Sequence, residues 1–512
     1  MKYSQILNRI IPQTQPLNKQ QVRNAAGGYV HKVDQWQMLD RFLLLGTCGG
    51  TYYTGERDLT KENVDAVLAC IAEDGTRVVA RLLEIDLGGR APKKGAANFA
   101  LALVIKHGDG AARAAAYEAL PRVCRTGSHL FDLLSELDGI GKGWSRALRR
   151  SVGKWYTEKN DQQLAYQAIK YGTRAGWSHR DALRLAHPKT DSQVVRWLVK
   201  GGEAPTPQIE AAAQIKTASV DEAVKLIVDH RLPREAVPST LLGEAKVWEA
   251  LLADMPLTAL IRNLGKMTSV ELVTYGSDAA TKIIDELGDL EKLRRARVHP
   301  LALLVALKVY AQGCGVRGAL TWTPVSRVVS ALNEAIGLSF GAVPESRRRE
   351  MVAIDVSGSM RVSLREYGGL MLHEAAACMA LATIAANPSS SVVTFDTGWR
   401  QLDALGRRWD DLAKALASYG GGTDFSQAIE AAMKTKGEKP ELLAVYTDNE
   451  TWAGQQHPEE AWADFKKHSP NARCVVASMT ATGTVAMPCR EDVLQVVGFD
   501  TALPEIINAF GS

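Results

Sequence analysis

MVAIDVSGSM, residues 351–360, decides the fold. Its opening is a short, β-rich apolar run, as expected of a strand buried on both faces, and it ends in small polar residues that open a loop. The period changes just before it, across the basic stretch Glu345-Ser-Arg-Arg-Arg-Glu350. Further candidate strands follow at 391–395, 442–446, 472–476 and 494–497, with helical stretches at 424–434 and 459–467 between them. Strands alternating with helices predict right-handed crossovers and a doubly wound parallel sheet covered on both faces. In such a sheet ligands sit at the carboxyl ends of the strands.

Upstream, to about residue 340, the pattern is helix after helix. Apolar residues recur at three and four positions, as in Val64, Val67, Leu68 and Ile71, or Leu133, Leu134 and Leu137. Breaks at Asp86-Leu-Gly-Gly-Arg90, His187-Pro188 and Leu232-Pro233 fall at helix-hairpin intervals. Paired helices in series predict HEAT-like repeats, although no fixed-period repeat is legible. The chain therefore divides into an all-α repeat module, 1–345, and an α/β module, 346–512.

At 512 residues, 46% hydrophobic and 23% charged, this is the composition of a soluble globular protein of several domains. The N-terminus, MKYSQILNRIIPQTQ, lacks an apolar run of signal-peptide length, and the stretch 375–386 is too short to span a bilayer. The seven cysteines are scattered, odd in number and without a CxxC pair, so neither a disulfide framework nor a zinc site is signalled. The expectation is a reduced, cytoplasmic chain.

Net charge is only +4, but it is unevenly spread. Residues 141–200 hold thirteen Lys and Arg against four acids, a net +9 that leaves −5 for the rest. Trp144, Trp155, Tyr156, Tyr166, Tyr171 and Trp177 interleave with these cations. Aromatics beside cations suit RNA, where phosphates supply affinity and unstacked bases offer π-faces, although at helical spacing some must be core.

Asp355, Ser357 and Ser359 alternate in the loop after the first strand, so all three can point into one crevice. Gly420-Gly-Gly-Thr423-Asp424 precedes a helix, and Thr447-Asp448-Asn449-Glu450 follows a strand. One DxSxS alone is weak, but three oxygen-bearing loops in order, each expected at a strand end, are specific together. Hard oxygens with few formal charges suit an octahedral Mg²⁺, with Mn²⁺ or Ca²⁺ as alternatives, that keeps an open position for an acidic group or a phosphate. Phosphoryl transfer would need a second acid two residues after Asp355, where Ser357 stands. GxxxxGK[ST], GxSxG and HExxH are all missing, and Gly139-Ile-Gly-Lys-Gly143 lacks the strand and hydroxyl of a phosphate loop. The residues point to a non-enzyme.

With these loops placed, the whole chain from about Asn24 resembles the Ro autoantigen family, a TROVE module followed by a von Willebrand factor A module. The resemblance is carried by NAAGGYVHKVDQW (24–36), RFLLLGTCGGTYY (41–53), KYGTRAGWSHRDALRLAHPK (170–189), VWEALLADMPLTALIRNLGKM (247–267), ARVHPLALLVALKVY (296–310), DVSGSM (355–360), TDNETWAGQQHP (447–458) and VVGFDT (496–501). It implies repeats closed into a ring, with the A module where the ring ends meet. It further implies Y RNA on the basic outer face and single-stranded ends of misfolded RNA in the hole, for RNA quality control or maturation. The family's Y RNA contacts fall on Lys170, Arg174 and His187, and its metal positions on Asp355, Ser357, Ser359, Thr423 and Asp448. Gly358 stands where animal members often have Ala, and Cys48 where Glu is usual. Bacterial relatives work with polynucleotide phosphorylase, which the resemblance offers as a partner.

Two other readings compete. A metal-dependent protein-recognition scaffold needs only the A module, but gives no reason to concentrate +9 in sixty residues. A nuclease would need clustered carboxylates for two metals, which the helical half does not show. Lys170 and Arg174, four apart, are expected on one helix face, with His187 reaching the same RNA from the next repeat.

Overall fold

The computed structural model describes residues 11–316, 318–340, 348–364, 367–387, 389–404, 408–416 and 420–511. From Gln35 to Ser339 the chain runs as helices in series, each packing on the next one or two along the chain. The sequence sets where they start: Asp109, Thr126, Ser145, Asn160, Ser178, Thr206 and Ser219 each accept a backbone N–H two or three residues on, which satisfies a donor that the first turn leaves unpaired. The breaks read from the sequence fall at helix ends, after Leu87, Ala186 and His230. Trp155, Tyr156 and Phe131 fill the core of the first half, Trp248 and Tyr310 that of the second. One small strand pair precedes the helical series and another interrupts it. Val22–Arg23 pairs with Tyr29–Lys32, and Thr173–Arg174 with Trp177–Ser178.

The C-terminal sheet has six strands: β1 Glu350–Asp355, β2 Ser391–Phe395, β3 Trp399–Gln401, β4 Leu442–Thr447, β5 Arg473–Ser478 and β6 Val493–Val497. Their order is β6-β5-β4-β1-β2-β3, parallel throughout except β3, which runs antiparallel on one edge. Helices Leu372–Ala386, Ser426–Lys434, Pro458–His468 and Leu503–Gly511 supply the crossovers and covers. The helical run ends at Ser339. Residues 341–347, which hold the expected division at 345/346 and the start of the basic stretch 345–350, lie outside the described residues, as do residues 1–10 of the N-terminal stretch. Among the described residues no helix is long and apolar enough to cross a membrane.

Both ends of the helical series dock on the α/β domain. Near its start, the buried Arg41 guanidinium donates to the carbonyls of Thr482 and Thr484 and to Ser478 Oγ, and Asn63 donates to the Ala481 carbonyl. Near its end, His299 Nε2 lies 2.9 Å from the Phe499 carbonyl, and Lys308 pairs with Glu374 at 2.6 Å. The two ends also meet each other, because Gly89 packs beside the Arg297 side chain. The repeats thus close on themselves through the sheet domain. A belt ahead of the first helix completes the seam: Tyr29–Lys32 adds to the short strand Thr484–Val485, and Gln13 is buried among Asp424, Thr451 and Gln456.

Candidate functional site

β1 delivers Asp355 to the carboxyl edge of the sheet, fully buried. Ser357 N donates to its Oδ1 at 2.9 Å, and the Thr447 hydroxyl to its Oδ2 at 2.6 Å, so one turn and one neighbouring strand fix the carboxylate. Ser357 Oγ and Ser359 Oγ are 3.1 Å apart in the same loop. β4 delivers Asp448, also buried, whose carboxylate accepts the Glu450 amide at 3.1 Å and a hydrogen bond from Ser359.

The third loop departs from the sequence expectation. Among the described residues the element ahead of Thr423 is helix Trp409–Leu416 rather than a strand, and helix Ser426–Lys434 follows it. Backbone bonds hold it at the strand ends instead. Gly358 N donates to Gly421 O, Asp424 N to Asp396 O, and both Trp452 N and Ala453 N to Thr423 O, all at 2.9 Å. Ala453 and Trp452 crowd Gly422, where a Cβ would come within 2.9 Å of Ala453 Cβ, so glycine lets the two loops touch.

The five residues expected to ligate a metal therefore lie on loops that meet at the carboxyl edge of the sheet. Burial, and then the neighbouring charge of Asp448, push the Asp355 carboxyl above the usual carboxylate range. Asp448 is pushed the same way by burial. Two dry carboxylates side by side resist ionising together unless positive charge lies between them. Thr423 Oγ1 is buried without a hydrogen-bond partner. An orphaned hydroxyl on a loop whose backbone meets Gly358 and Trp452, together with two such carboxylates, is a donor set that a divalent ion would suit. Among the described residues no cluster of three or more His, Cys, Asp and Glu could hold a metal, so an ion at these loops would need hydroxyls beside the two carboxylates.

Three further residues shape the site. Thr447 positions Asp355. Glu450, its carboxyl raised to about 8 by burial and then by Asp448, accepts the Ala26 amide at 3.1 Å and so faces the N-terminal belt rather than the crevice. Asp396, at the end of β2, holds Arg400 at 3.2 Å and braces the Thr423 loop through its carbonyl. Thr447 and Glu450 stood in the quoted TDNE run; nothing in the sequence marked Asp396.

The basic segment is arranged differently from its helical-face expectation. Lys170 is the last residue of helix Asp161–Lys170, and the chain then turns into the hairpin that carries Arg174. The two cannot share a helix face. Lys170 Nζ donates to the Tyr166 hydroxyl at 2.9 Å, while the exposed Arg174 is bonded through Nε to Asp132. His187, exposed, closes helix His179–Ala186 in a left-handed conformation (φ 47°). The three thus lie on a helix end, a hairpin and a helix cap, successive along the chain. Of the interleaved aromatics, Trp155 and Tyr156 are core, and Tyr156 OH lies 2.9 Å from Nδ1 of the buried His179. Burial holds that imidazole at about 4 and therefore neutral.

Helical repeats closed by an α/β domain of von Willebrand factor A type, with an oxygen-lined crevice at its strand ends, define the class. The Ro60 vWA domain model matches residues 349–511, and the TROVE domain model matches 22–216 and 225–309. The chain is 41% identical to RNA-binding protein RO60 of Deinococcus radiodurans, over 98% of this chain and 97% of that one. It is 31% identical to RNA-binding protein RO60 of Caenorhabditis elegans, over 98% and 92%. The crystal structure of the Deinococcus radiodurans RO (RSR) protein superposes with a TM-score of 0.70 at 37% identity, covering 93% of this chain and 99% of that one. The chain belongs to the Ro family, in its bacterial form.

Proposed function

We propose that this chain binds noncoding RNA and does not cut it, taking a small structured Y-like RNA on the Lys170, Arg174 and His187 face and single-stranded ends of misfolded RNA inside the ring. The observation that carries the reading is the sorting of the +9 segment: its large aromatics Trp155 and Tyr156 go to the core, whereas Arg174 and His187 stay exposed and Lys170 half-exposed. Cations held at the surface on successive elements are placed to meet a phosphate backbone, which supplies most nucleic-acid affinity. The two relatives named as RNA-binding proteins support it. So does a cavity of about 760 Å³ at the closure of the ring, where Lys93 from the early repeats faces Lys266 and Trp322 from the late ones. Cations with an aromatic ring suit an unpaired strand.

In the same reading Asp355, Ser357, Ser359, Thr423 and Asp448 hold a divalent ion, Mg²⁺ before Mn²⁺ or Ca²⁺. Such an ion supplies positive charge to the two carboxylates and an open position for an acidic group or phosphate of a partner. Polynucleotide phosphorylase is the partner we propose in RNA maturation or decay, in the cytoplasm. Filter binding of a Y-like stem-loop, with and without a single-stranded 3′ extension, tests the RNA reading. Binding of both at physiological salt, with labelled RNA left intact in Mg²⁺ or Mn²⁺, is the expected result. Absence of binding, or cleavage that Thr423→Ala or Asp448→Ala removes, overturns it. One observation favours metal-dependent protein recognition as a second reading: Trp452, 36% exposed, stands against Gly422 at the metal loops as an anchor a protein partner would use.

A further inference from the structure

Helix Pro300–Ala311, PLALLVALKVYA, is apolar all round: Lys308 is its one charged residue, and that side chain is paired with Glu374 at 2.6 Å. A helix of this kind belongs in a core. One side conforms, with Leu301, Leu304 and Leu307 buried. The other does not. Ala302, Val305, Ala306 and Val309, spaced three and four apart and so on one face, line the 760 Å³ cavity at the closure of the ring. Ile261 and Leu264 of helix Leu257–Ser269 add to that wall, as do Val316 and Leu320, which are 54% and 38% exposed. The A module abuts it, since a Cβ on Gly368 would come within 3.2 Å of Val305.

The charges around this wall are of one sign. Lys93, Arg234, Arg262 and Lys266 line the cavity, and no acid stands among its described lining residues. Arg262 uses its Nε on the Thr258 carbonyl at 3.1 Å, so its terminal nitrogens keep their donors. The cations and Trp322 suit an unpaired strand, but the aliphatic wall beside them gives a base no π-face and a phosphate no donor. What it offers is dispersion contact to another aliphatic group. An open apolar wall marks a binding surface, and the volume falls within the roughly 300–1,000 Å³ of small-molecule sites.

We infer that this cavity binds a free anionic amphipath of the fatty-acid class, its hydrocarbon chain along the face formed by Ala302, Val305, Ala306 and Val309 and its carboxylate among the four cations. The inference goes beyond the RNA-binding reading and gives the cavity a second occupant. The carboxylate takes the cations that would meet a strand, so the two occupants exclude one another; that exclusion alone rests on the RNA reading.

Equilibrium dialysis of the full chain, without RNA, against labelled dodecanoate below its micellar concentration tests the site. A single saturable dodecanoate is expected, with affinity falling on the order of tenfold for each two methylenes removed, through decanoate to octanoate, as the loss of buried hydrocarbon requires. Dodecylamine, with the same chain and the opposite charge, should bind on the order of tenfold less tightly. Ala302→Trp, at an exposed position of the wall, should abolish binding by filling the cavity. Arg262→Ala with Lys266→Ala should weaken dodecanoate and spare dodecanol, whose head carries no charge. Absence of saturable binding, or binding that Ala302→Trp leaves intact, overturns the inference. Equal binding of dodecylamine and dodecanoate overturns the anionic class. Capture of the protein by phosphatidylglycerol vesicles without uptake of free dodecanoate places the hydrocarbon in a bilayer and overturns the free-ligand form.

Discussion

Arg174 rests against Asp132, its Nε 2.6 and 2.8 Å from the two carboxylate oxygens, so an incoming phosphate meets a guanidinium whose charge is already partly answered. Lys170, held by the neutral Tyr166 hydroxyl, has no such counter-charge in contact. Lys170→Ala should therefore lower the salt dependence of log K by about 0.9 for a duplex-like target, and Arg174→Ala by less. Asp132→Asn, which keeps a hydrogen-bonding group in place, should steepen the dependence. His187→Ala should cost affinity with little change in slope. Filter binding across several salt concentrations separates these outcomes. A double Lys170→Ala, Arg174→Ala variant that binds like wild type at every salt returns this face to ordinary solvated surface.

The metal reading makes opposite demands on two residues of one crevice. Asp355→Ala removes the charged ligand of the first loop, so calorimetric titration should show Mg²⁺ and Mn²⁺ affinity falling sharply while the helical repeats stay folded. Thr423→Val deletes a buried hydroxyl that has no partner. It should raise metal-free stability by about 1 kcal/mol, because an unsatisfied polar group is removed, and shrink the gain in Tm that metal brings. Thr423→Val with an undiminished metal-induced gain would show that Thr423 is not a ligand.

Acidity should act on the same crevice with a definite sign. Burial and mutual repulsion raise Asp355 above its unfolded value, so the folded state holds a proton that the unfolded chain releases. That contribution is complete below the unfolded carboxylate pKa and is lost as pH rises through the raised value. Without divalent ions, Tm of the α/β domain should fall as pH rises from the usual carboxylate range to about 7 and level off above it, and excess Mg²⁺ should flatten the decline. Tm that is level with pH in EDTA would contradict the shared, uncompensated burial of Asp355 and Asp448.

His299 should produce the opposite limb. Its Nε2 meets the Phe499 carbonyl at 2.9 Å and its Nδ1 accepts the Leu301 amide at 3.1 Å, while burial holds its pKa at about 4. Stability from this neutral imidazole is present above about pH 6.5 and lost as pH falls toward 4. His299→Ala should cost on the order of 2 kcal/mol, combining a lost helix cap with a stranded carbonyl, and should make acid unfolding less steep. A variant with wild-type stability would show that the seam does not depend on this bond.

The parts of the fold legible in the sequence were those whose signal is local. β1, β2 and β4 are buried on both faces and read as unbroken apolar runs. β3, Trp-Arg-Gln on an edge, carries no such run and was invisible. The three oxygen-bearing loops were legible because their polar residues alternate in short stretches, but the route by which Thr423 arrives was not, since backbone bonds to Gly358, Trp452 and Ala453 leave no mark on residue type. The shared face of Lys170 and Arg174 was misread because spacing by four implies neighbours only while a helix lasts, and this one stops at Lys170. The belt formed by Gln13 and its neighbours has no periodicity at all, and its partners stand more than four hundred residues away.

That belt has a consequence for the order in which the molecule is made. Gln13 leaves the ribosome long before Asp424 and Thr451, so its amide must wait in water until the last strands exist. Loop-closure entropy grows only slowly with length, so the distance does not preclude the contact; it delays it. The repeats can stack from their own neighbours as they emerge, whereas the seam between first and last repeat has no template until the α/β domain has folded. A newborn chain therefore passes through an open arc with both its basic face and its inner wall accessible, and an RNA that met it then would be encircled rather than threaded.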